Sequence, residues 1–432
     1  MVKFGRWKEN MTEHQPLEEE HSYHQADITT GGRDVPQIIR LFPRGRIYVG
    51  KDAKVTDENP SLRVLKLGEG VSPFGPPPEY FEIRQRLEAE GAFARAGLVY
   101  GGSVDNTPAL GFIRERFGDV PYIALSQGGS DEILERIVTQ LIEDPYKRKV
   151  HIMGIGPHYP HINNFAKRYG FGEISAHTMR LLYGSVFLDL HRPLSETVLE
   201  TIRRCKEDGR HNVLVYLCNP DTPKGDSVDI DLIKDLADIT ARQEKLLLVD
   251  EAFGDALEDE NSAMPLTAVY SNLIILRSLS KGVGLPGERI GFAGMSAGVG
   301  EAYDRVRRVY DISGPTQLLA NEIFNPDIIL PHLDKVREKT RIFKHQLLNQ
   351  LAIIGIPYLS TDFGVPILLL DGRSGGFHSR LLALGIETAS GMAFAETHPG
   401  LSDRYVRMTI PGNEEDILEV IQRIKTTQNQ PR

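Results

Sequence analysis

Lys281 stands out among the residues whose chemistry could serve a reaction. It follows Ser278 and Ser280 and precedes a glycine-rich turn that ends at Arg289, within the stretch RSLSKGVGLPGERIGF. A lysine in such a turn is usually a solvated surface residue. Two hydroxyls and a guanidinium beside it instead indicate a site for an anion. The lysine amine is also a nucleophile toward carbonyl compounds.

Asp250 is a second reactive group, at the end of the apolar run LLLVD (246–250). A carboxylate placed there must be paired or hydrogen-bonded, because burying it alone is costly. An Asp-Glu pair after a strand also occurs in magnesium sites of nucleotide hydrolases. Those proteins need a Gly-x-x-x-x-Gly-Lys-Ser/Thr loop, which this chain lacks.

Two further groups follow other apolar runs. Gly129 and Ser130 open a predicted helix after YIALS, where free backbone N–H groups favour a phosphate. Tyr159 follows VHIMGIG, and its ring can stack on a flat molecule. Each has a plain alternative, as a helix cap or a packed tyrosine. His158 and His161 flank Tyr159, but no third ligand accompanies them, so no metal site is predicted.

Together these groups meet the needs of one cofactor, pyridoxal 5'-phosphate. A lysine forms its Schiff base, a carboxylate keeps its ring nitrogen protonated, and an aromatic side chain stacks on its ring. Hydroxyls, an arginine and a helix start hold its phosphate. Any one group is ambiguous, but their order along the chain, each at the end of a predicted strand, indicates this cofactor.

The elements that would position these groups alternate between short apolar runs and amphipathic stretches from about residue 80 to residue 280. Helices are predicted over 80–97 and 131–144, among others. The predicted strands include YIALS, VHIMGIG, NVLVYLCN, LLLVDEAF, NLIILRSLS and, nearer the C-terminus, IPYLS. This alternation predicts an α/β fold with a mainly parallel sheet sandwiched by helices, whose ligands bind beyond the carboxyl ends of the strands. From about residue 330 the pattern changes to that of a smaller α+β domain. The predicted divisions are an N-terminal arm (1–60), a large domain (61–330) and a C-terminal domain (331–432).

Composition narrows the class of protein. The 432 residues carry a net charge of -9, which argues against nucleic-acid binding, and contain two cysteines, too few for a disulfide framework. Neither a membrane-spanning run nor a signal peptide is predicted. We therefore expect a cytoplasmic protein.

The motifs resemble those of the fold-type I enzymes that use pyridoxal phosphate, the aspartate aminotransferase superfamily. The similarity is greatest to histidinol-phosphate aminotransferases and threonine-phosphate decarboxylases. It rests on LKLGEG, GGSDE, PHYPH, NPDTPKG, VDEAF, RSLSKGVGLPGERIGF and YVRMTI. The resemblance implies that Lys281 binds the cofactor and moves the substrate α-proton, and that Asp250 pairs with the ring nitrogen. It implies that Tyr159 stacks on the ring and that the phosphate is held by Gly129, Ser130, Ser278, Ser280 and Arg289.

The resemblance also implies a substrate clamp and a partner subunit. Arg407, in YVRMTI, matches the arginine that grips the α-carboxylate of the substrate. Tyr100 matches a tyrosine that reaches the phosphate of the neighbouring subunit, which implies a homodimer with shared active sites. Glu69 lies where the N-terminal segment meets the site and suggests a cationic or hydrogen-bonding substrate side chain. The plain interpretation of each is a surface or packed residue.

Two positions depart from the family pattern. Thr222 replaces the usual asparagine that donates to the 3' oxygen of the cofactor, and Phe253 replaces the usual tyrosine. Lys224 adds an unusual charge nearby. Transamination of an L-amino acid with a 2-oxo acid is our first expectation. Decarboxylation, β/γ-elimination or replacement, cyclisation and oxidation stay open as alternatives, and a non-enzymatic regulator is disfavoured because no DNA-binding pattern is present.

Overall fold

The computed structural model describes residues 63–101, 107–142, 151–168, 189–207 and 212–428. All of them belong to one compact unit, Gly45–Arg432. The predicted N-terminal arm, residues 1–60, lies outside the described residues. Within the described ranges, no helix is both long and apolar enough to cross a membrane. The cytoplasmic location stays a prediction.

A six-stranded sheet in the order β2-β7-β6-β5-β4-β3 forms the centre of the fold. Its strands are β2 (Tyr122–Ser126), β3 (His151–Gly154), β4 (Asn212–Cys218), β5 (Leu246–Asp250), β6 (Leu273–Ser278) and β7 (Gly291–Met295). Strands β3 to β6 run parallel, whereas β7 is antiparallel to both its neighbours. The predicted mainly parallel sheet is confirmed, although β7 was not among the predicted strands.

The central strands are buried because both of their faces are apolar. Successive side chains of a strand point to opposite faces. Accordingly, Val215 and Leu217 of β4 join one hydrophobic cluster, whereas Leu214 and Tyr216 join another on the opposite face. Helices cover both clusters, as the sandwich arrangement predicts.

Helices form much of the remaining described structure. Their bounds are Glu79–Ala89, Ala92–Ala96, Pro108–Phe117, Ser130–Arg136, His161–Arg168, Leu194–Glu207, Ile230–Arg242, Ala297–Asp304, Gly314–Ile323, Pro326–Ile353, Phe377–Ala383 and Glu414–Gln428. The helix predicted over 80–97 is broken at Gly91, whose φ of 63° is left-handed. The helix predicted over 131–144 continues past Arg136 as a π-helical turn, Ile137–Leu141.

A second region, near the C-terminus, contains two small sheets. Strands β8 (Ile367–Asp371), β10 (Ala389–Ser390) and β11 (Tyr405–Thr409) pair antiparallel in the order β10-β11-β8. The short β1 (Leu65–Lys66) pairs parallel with β9 (Ile386–Glu387), so an N-terminal segment joins this region. The predicted strand IPYLS is an isolated bridge from Tyr358 to Leu370.

The core of this C-terminal region is separate from the two clusters of the large sheet. Leu368 and Leu370 of β8 pack with Val406 and Met408 of β11 and with apolar residues of three helices. The helix Pro326–Ile353 passes through the predicted boundary at residue 330. The division into domains stays a prediction.

Candidate active site

A cavity of about 330 Å³ is lined by the last residues of β4, β5 and β6, which are Cys218, Asp250 and Ser278. Ten of the twelve predicted site residues line it. These are Glu69, Ser130, Tyr159, Thr222, Asp250, Ser278, Ser280, Lys281, Arg289 and Arg407. The carboxyl ends of parallel strands meet at one edge of a sheet, so residues far apart in sequence converge there.

Lys281 lies directly after β6 and is half-buried in the cavity wall. Its Nζ atom donates to the backbone carbonyl of Glu69 at 3.4 Å and lies 5.4 Å from the ring centroid of Phe253. Burial, reinforced by the positive charge of Arg407, lowers the pKa of Lys281 to about 8. An amine with such a pKa is partly neutral near pH 8, so it can act as a nucleophile or a base.

Asp250 ends β5 and is buried, although its carboxylate lines the cavity. Its Oδ1 atom accepts from the backbone N–H of Ala252 at 3.0 Å, and its Oδ2 atom accepts from the hydroxyl of Tyr216 at 2.7 Å. Burial raises the pKa of Asp250 to about 6, and these two donors oppose the shift. No guanidinium or ammonium group within the described residues forms an ion pair with it.

A cluster of hydroxyl and guanidinium groups forms another part of the cavity wall. Ser278 and Ser280 are both buried, and Arg289 donates from Nη2 to the carbonyl of Gly128 at 3.1 Å. Gly129 has a left-handed φ of 76°, and a Cβ atom there would lie 2.9 Å from Arg289 Nη2. Glycine is therefore needed at 129 for the guanidinium to lie against the start of the helix Ser130–Arg136.

Tyr159 is held by polar contacts at its hydroxyl. The hydroxyl donates to Oδ2 of Asp131 at 3.2 Å and lies 2.7 Å from Nδ1 of His161. The ring of His161 packs against that of Tyr159, with 4.6 Å between centroids. These contacts fix the orientation of an aromatic ring in the cavity wall.

Arg407 is 1% exposed, yet its guanidinium reaches the cavity from β11. Its Nη1 atom donates to the hydroxyl of Thr222 at 3.3 Å, and its Nη2 atom donates to the carbonyl of Gly68 at 2.5 Å. Gly70 has a φ of +65°, and a Cβ atom there would lie 3.4 Å from the guanidinium carbon. The N-terminal segment at Gly68 and the loop at Thr222 therefore both contact this arginine.

Tyr100 and Gly129 do not line the cavity. Gly129 contributes through its backbone position beside Arg289. The side chain of Tyr100 is 75% exposed and stacks on Tyr310, with ring centroids 4.2 Å apart. It belongs to an exposed apolar patch, which we call the tyrosine patch, composed of Leu98, Val99, Tyr100, Val309 and Tyr310.

Sequence reasoning assigned no role to several residues that line the cavity. Among them, Asp131 and His161 are polar and contact Tyr159. Asp131 belongs to the GGSDE motif and His161 to PHYPH, so the motifs could have indicated both residues. From the sequence alone, His161 was considered only as a metal ligand. Among the described residues, no group of three or more histidine, cysteine and acidic side chains is arranged to hold a metal ion.

The cavity fits pyridoxal phosphate by the chemistry of its donors and acceptors. The cluster of Ser278, Ser280 and Arg289 suits a dianionic phosphate. Asp250 has protein donors on both oxygens, yet still lines the cavity, where a ring nitrogen could meet it. Lys281 presents an amine of lowered pKa to the same space. The roles predicted for the individual residues stay predictions.

Comparison with known proteins identifies the family of the chain. The model of the family "Aminotransferase class I and II" matches residues 146–424. A histidinol-phosphate aminotransferase of Methanosphaera stadtmanae is 22% identical over 395 residues, which cover 88% of this chain and 95% of that protein. Histidinol-phosphate aminotransferase 2 of Archaeoglobus fulgidus is 29% identical over 215 residues, covering 49% of this chain and 57% of that protein.

The fold is also similar to that of a solved structure. The crystal structure of histidinol-phosphate aminotransferase from Sinorhizobium meliloti, in complex with pyridoxal 5'-phosphate, superposes with a TM-score of 0.69. The two sequences are 20% identical, and the superposition covers 92% of this chain and all of that one. At this level of identity the similarity concerns the fold.

Proposed function

The chain belongs to the class I and II aminotransferases, whose cofactor is pyridoxal phosphate, and from this we propose that it transfers the amino group of an L-amino acid to a 2-oxo acid. One observation carries the proposal. Lys281, Asp250 and Arg407 line the same cavity although they come from three different strands or strand ends. Nothing in the cavity favours decarboxylation, elimination, cyclisation or oxidation.

Each residue has a chemical task in this proposal. When bound, pyridoxal phosphate supplies an electron sink for the bond that breaks at the α-carbon of the substrate. Lys281 is the point of cofactor attachment, and its amine of lowered pKa removes and returns the α-proton. Asp250, ionised above about pH 6, holds a proton on the ring nitrogen. Tyr159 packs on the ring, and Ser130, Ser278, Ser280 and Arg289 bind the phosphate.

Arg407 orients the substrate through its α-carboxylate. A guanidinium can donate two parallel hydrogen bonds to a carboxylate, which fixes both position and angle. Its burial strengthens this contact, because water does not compete for the guanidinium. Glu69 is an exposed carboxylate at the cavity wall, and it receives a cationic or hydrogen-bonding group of the substrate side chain.

A screen of the purified enzyme against single L-amino acids tests the reaction. Transamination converts the cofactor to its amine form, with a changed absorption spectrum, and releases the matching 2-oxo acid. Mass spectrometry identifies that acid. Release of carbon dioxide, ammonia or water without the amine form of the cofactor would contradict transamination and indicate another branch of the family.

The tyrosine patch supports a homodimer with shared active sites. Five neighbouring apolar side chains are exposed, and Tyr100 among them is the residue predicted to cross to the partner. Mixing inactive Tyr100→Ala and Lys281→Ala subunits creates dimers in which one of the two sites carries neither change. Recovered activity in isolated heterodimers supports the sharing, and no recovery would show that each subunit is self-contained.

A further inference from the structure

We propose that Tyr216 is a positioning residue that keeps the carboxylate of Asp250 ionised and directed at the ring nitrogen of the cofactor. The inference rests on the proposed function in one respect, the pairing of Asp250 with that nitrogen. Tyr216 does not line the cavity. It acts through Asp250, from inside the sheet.

The contact between the two side chains follows from the pairing of β4 and β5. Cys218 of β4 lies opposite Asp250 of β5, so Tyr216 is two residues back along the neighbouring strand. Its side chain is fully buried, and its hydroxyl donates to Oδ2 of Asp250 at 2.7 Å. A diagonal neighbour at this distance is within reach of a long aromatic side chain.

The direction of the hydrogen bond is set by a third residue. The thiol of Cys218 donates to the hydroxyl oxygen of Tyr216, with 3.3 Å between sulfur and oxygen. Since that oxygen accepts from Cys218, its own proton is available for Asp250. The sulfur of Cys218 accepts in turn from the backbone N–H of Tyr159 at 3.4 Å. These contacts link the backbone of Tyr159, which is predicted to stack on the cofactor ring, to Asp250, which is predicted to pair with the ring nitrogen.

The other groups around this pair are few. The ring of His158 packs edge-on against Tyr216, with 5.4 Å between centroids, and burial lowers the pKa of that histidine to about 4. Asp131 and Lys281 face Asp250 across the cavity and shift its pKa in opposite directions. Tyr216 is therefore the one side chain in the described structure that donates a hydrogen bond to Asp250.

A donor to the carboxylate favours its charged form and makes it a weaker base. When a proton lies between a ring nitrogen and a carboxylate, a weaker carboxylate base leaves the proton on the nitrogen. Replacing the hydroxyl of Tyr216 by hydrogen removes this effect from a buried group. Tyr216→Phe is accordingly expected to raise the pKa of Asp250 above its present value of about 6.

The test measures binding of 4'-deoxypyridoxine 5'-phosphate to the apoenzyme by fluorescence titration, between about pH 5 and pH 9. This ligand has the ring nitrogen and phosphate of the cofactor but no aldehyde, so no bond to Lys281 forms. Binding to the wild type should weaken as pH falls through about 6. For Tyr216→Phe the pH midpoint of binding should move up by about one unit, so that binding is about twofold weaker than wild type at pH 7, about fivefold weaker at pH 6 and nearly tenfold weaker at pH 5.

Tyr303→Phe is the matched control. Tyr303 is 1% exposed and lies in the same apolar cluster as Tyr216, but it has no hydrogen bond to Asp250. It should leave the midpoint unchanged. Thermal unfolding of both variants measures any loss of stability, which affects binding at all pH values alike and does not move the midpoint.

Asp250→Asn separates failure of the inference from failure of the proposed function. If Asp250→Asn changes the pH dependence of binding but Tyr216→Phe leaves it as in the wild type, the role of Tyr216 is refuted and that of Asp250 stands. If Asp250→Asn has the same pH dependence of binding as the wild type, the assignment of Asp250 is itself wrong, because the phosphate of the ligand titrates equally in both proteins. In the Asp250→Asn background, Tyr216→Phe should have no further effect on the pH dependence.

Discussion

Asp250 and Glu251 are adjacent carboxylates at the end of one strand, yet their surroundings differ. Asp250 lines the cavity and accepts hydrogen bonds only from neutral groups. Glu251 is 1% exposed and points away, where its Oε2 atom accepts from Nε of Arg277 at 2.9 Å. The neighbouring strand β6 shows the same contrast between adjacent residues. Arg277 pairs with Glu251, whereas the next residue, Ser278, lines the cavity.

The ion-paired side of this alternation extends into a network of buried charges. Arg277 also pairs with Asp255 at 2.9 Å, and Arg116 bridges Asp255 and Asp259 at 3.1 and 2.7 Å. Although burial opposes it, Arg116 lowers the pKa of Asp259. In this network each carboxylate lies within ion-pair distance of a guanidinium group. On the cavity side, the pKa values of Asp250 and Lys281 lie near 6 and 8.

Residue type alone therefore does not separate a structural charge from a reactive one. A buried carboxylate with a guanidinium partner is locked in its ionised form. A carboxylate with only neutral donors can exchange a proton in the physiological range. Changes on the cavity side should therefore affect reaction or binding, and changes in the ion-paired network should affect stability.

The largest effect is expected on the cavity side. Lys281→Ala should lower turnover by at least about 100-fold, because attachment and proton transfer both depend on the amine. Borohydride reduction of the wild-type holoenzyme, followed by peptide mapping, should place the cofactor on Lys281. A reduced cofactor found on a peptide without Lys281 would show that the assignment is wrong. Circular dichroism should show that the variant keeps its fold.

The ion-paired side should respond in stability. Arg277→Met leaves the buried Glu251 without its guanidinium partner and Asp255 with that of Arg116 alone, and we expect a loss of about 3–5 kcal/mol in the free energy of unfolding. Urea unfolding measures it. Arg305→Met is the control, because the pair of Arg305 and Glu301 is 74% exposed on both sides and should contribute little. Equal losses of unfolding free energy in the two variants would show that the buried ion pairs of Arg277 contribute no more to stability than an exposed pair.

Arg407→Lys tests the substrate clamp. The charge is kept but the planar fork is lost, and amino-acid binding should weaken by about 1–3 kcal/mol. Cofactor content should be unchanged. Titration of the cofactor absorbance with substrate measures both. A variant that loses the cofactor and keeps its substrate affinity would show that Arg407 is not the carboxylate clamp.

The pH dependence of cofactor capture reports the pKa of Lys281. The neutral amine is the reactive form, so the fraction available increases with pH up to about 8 and is constant above it. The rate at which apoenzyme captures pyridoxal phosphate should fall about tenfold for each pH unit below that value. Stopped-flow absorbance measures the rate. A rate independent of pH between about 6 and 8 would contradict a lysine that is mainly protonated there.

The smallest effect is expected at Phe253, the ring next to Lys281 Nζ. Phe253 cannot donate to the 3' oxygen of the cofactor, and Thr222 offers one hydroxyl. Phe253→Tyr should lower the pH midpoint of the absorbance change of the bound cofactor by up to about one unit, since a donor stabilises the charged oxygen. Identical midpoints, in a variant whose structure shows the new hydroxyl against that oxygen, would refute the idea.

Much of the fold was predictable because β4, β5 and β6 are continuous apolar runs. β7 was missed because its sequence, GFAGM, has no β-branched residue. The broken helix near Gly91 was missed because apolar spacing continues across the glycine. In the site, the polar residues at strand ends were predictable. Tyr216 was not, since within the run NVLVYLCN it is indistinguishable from a core residue until β4 is paired with β5.

Two carbonyl oxygens, those of Gly68 and Glu69, occupy the guanidinium of Arg407 and the ammonium of Lys281. In the role proposed for Arg407, a substrate carboxylate would displace one of these neutral acceptors of the chain. A carboxylate gains in that exchange, because its negative charge attracts the guanidinium and a neutral carbonyl carries none. An amino-acid amide offers only another neutral carbonyl in return. Under this proposal the carbonyl of Gly68 competes with the substrate for Arg407, and binding of a charged carboxylate is favoured over binding of a neutral amide.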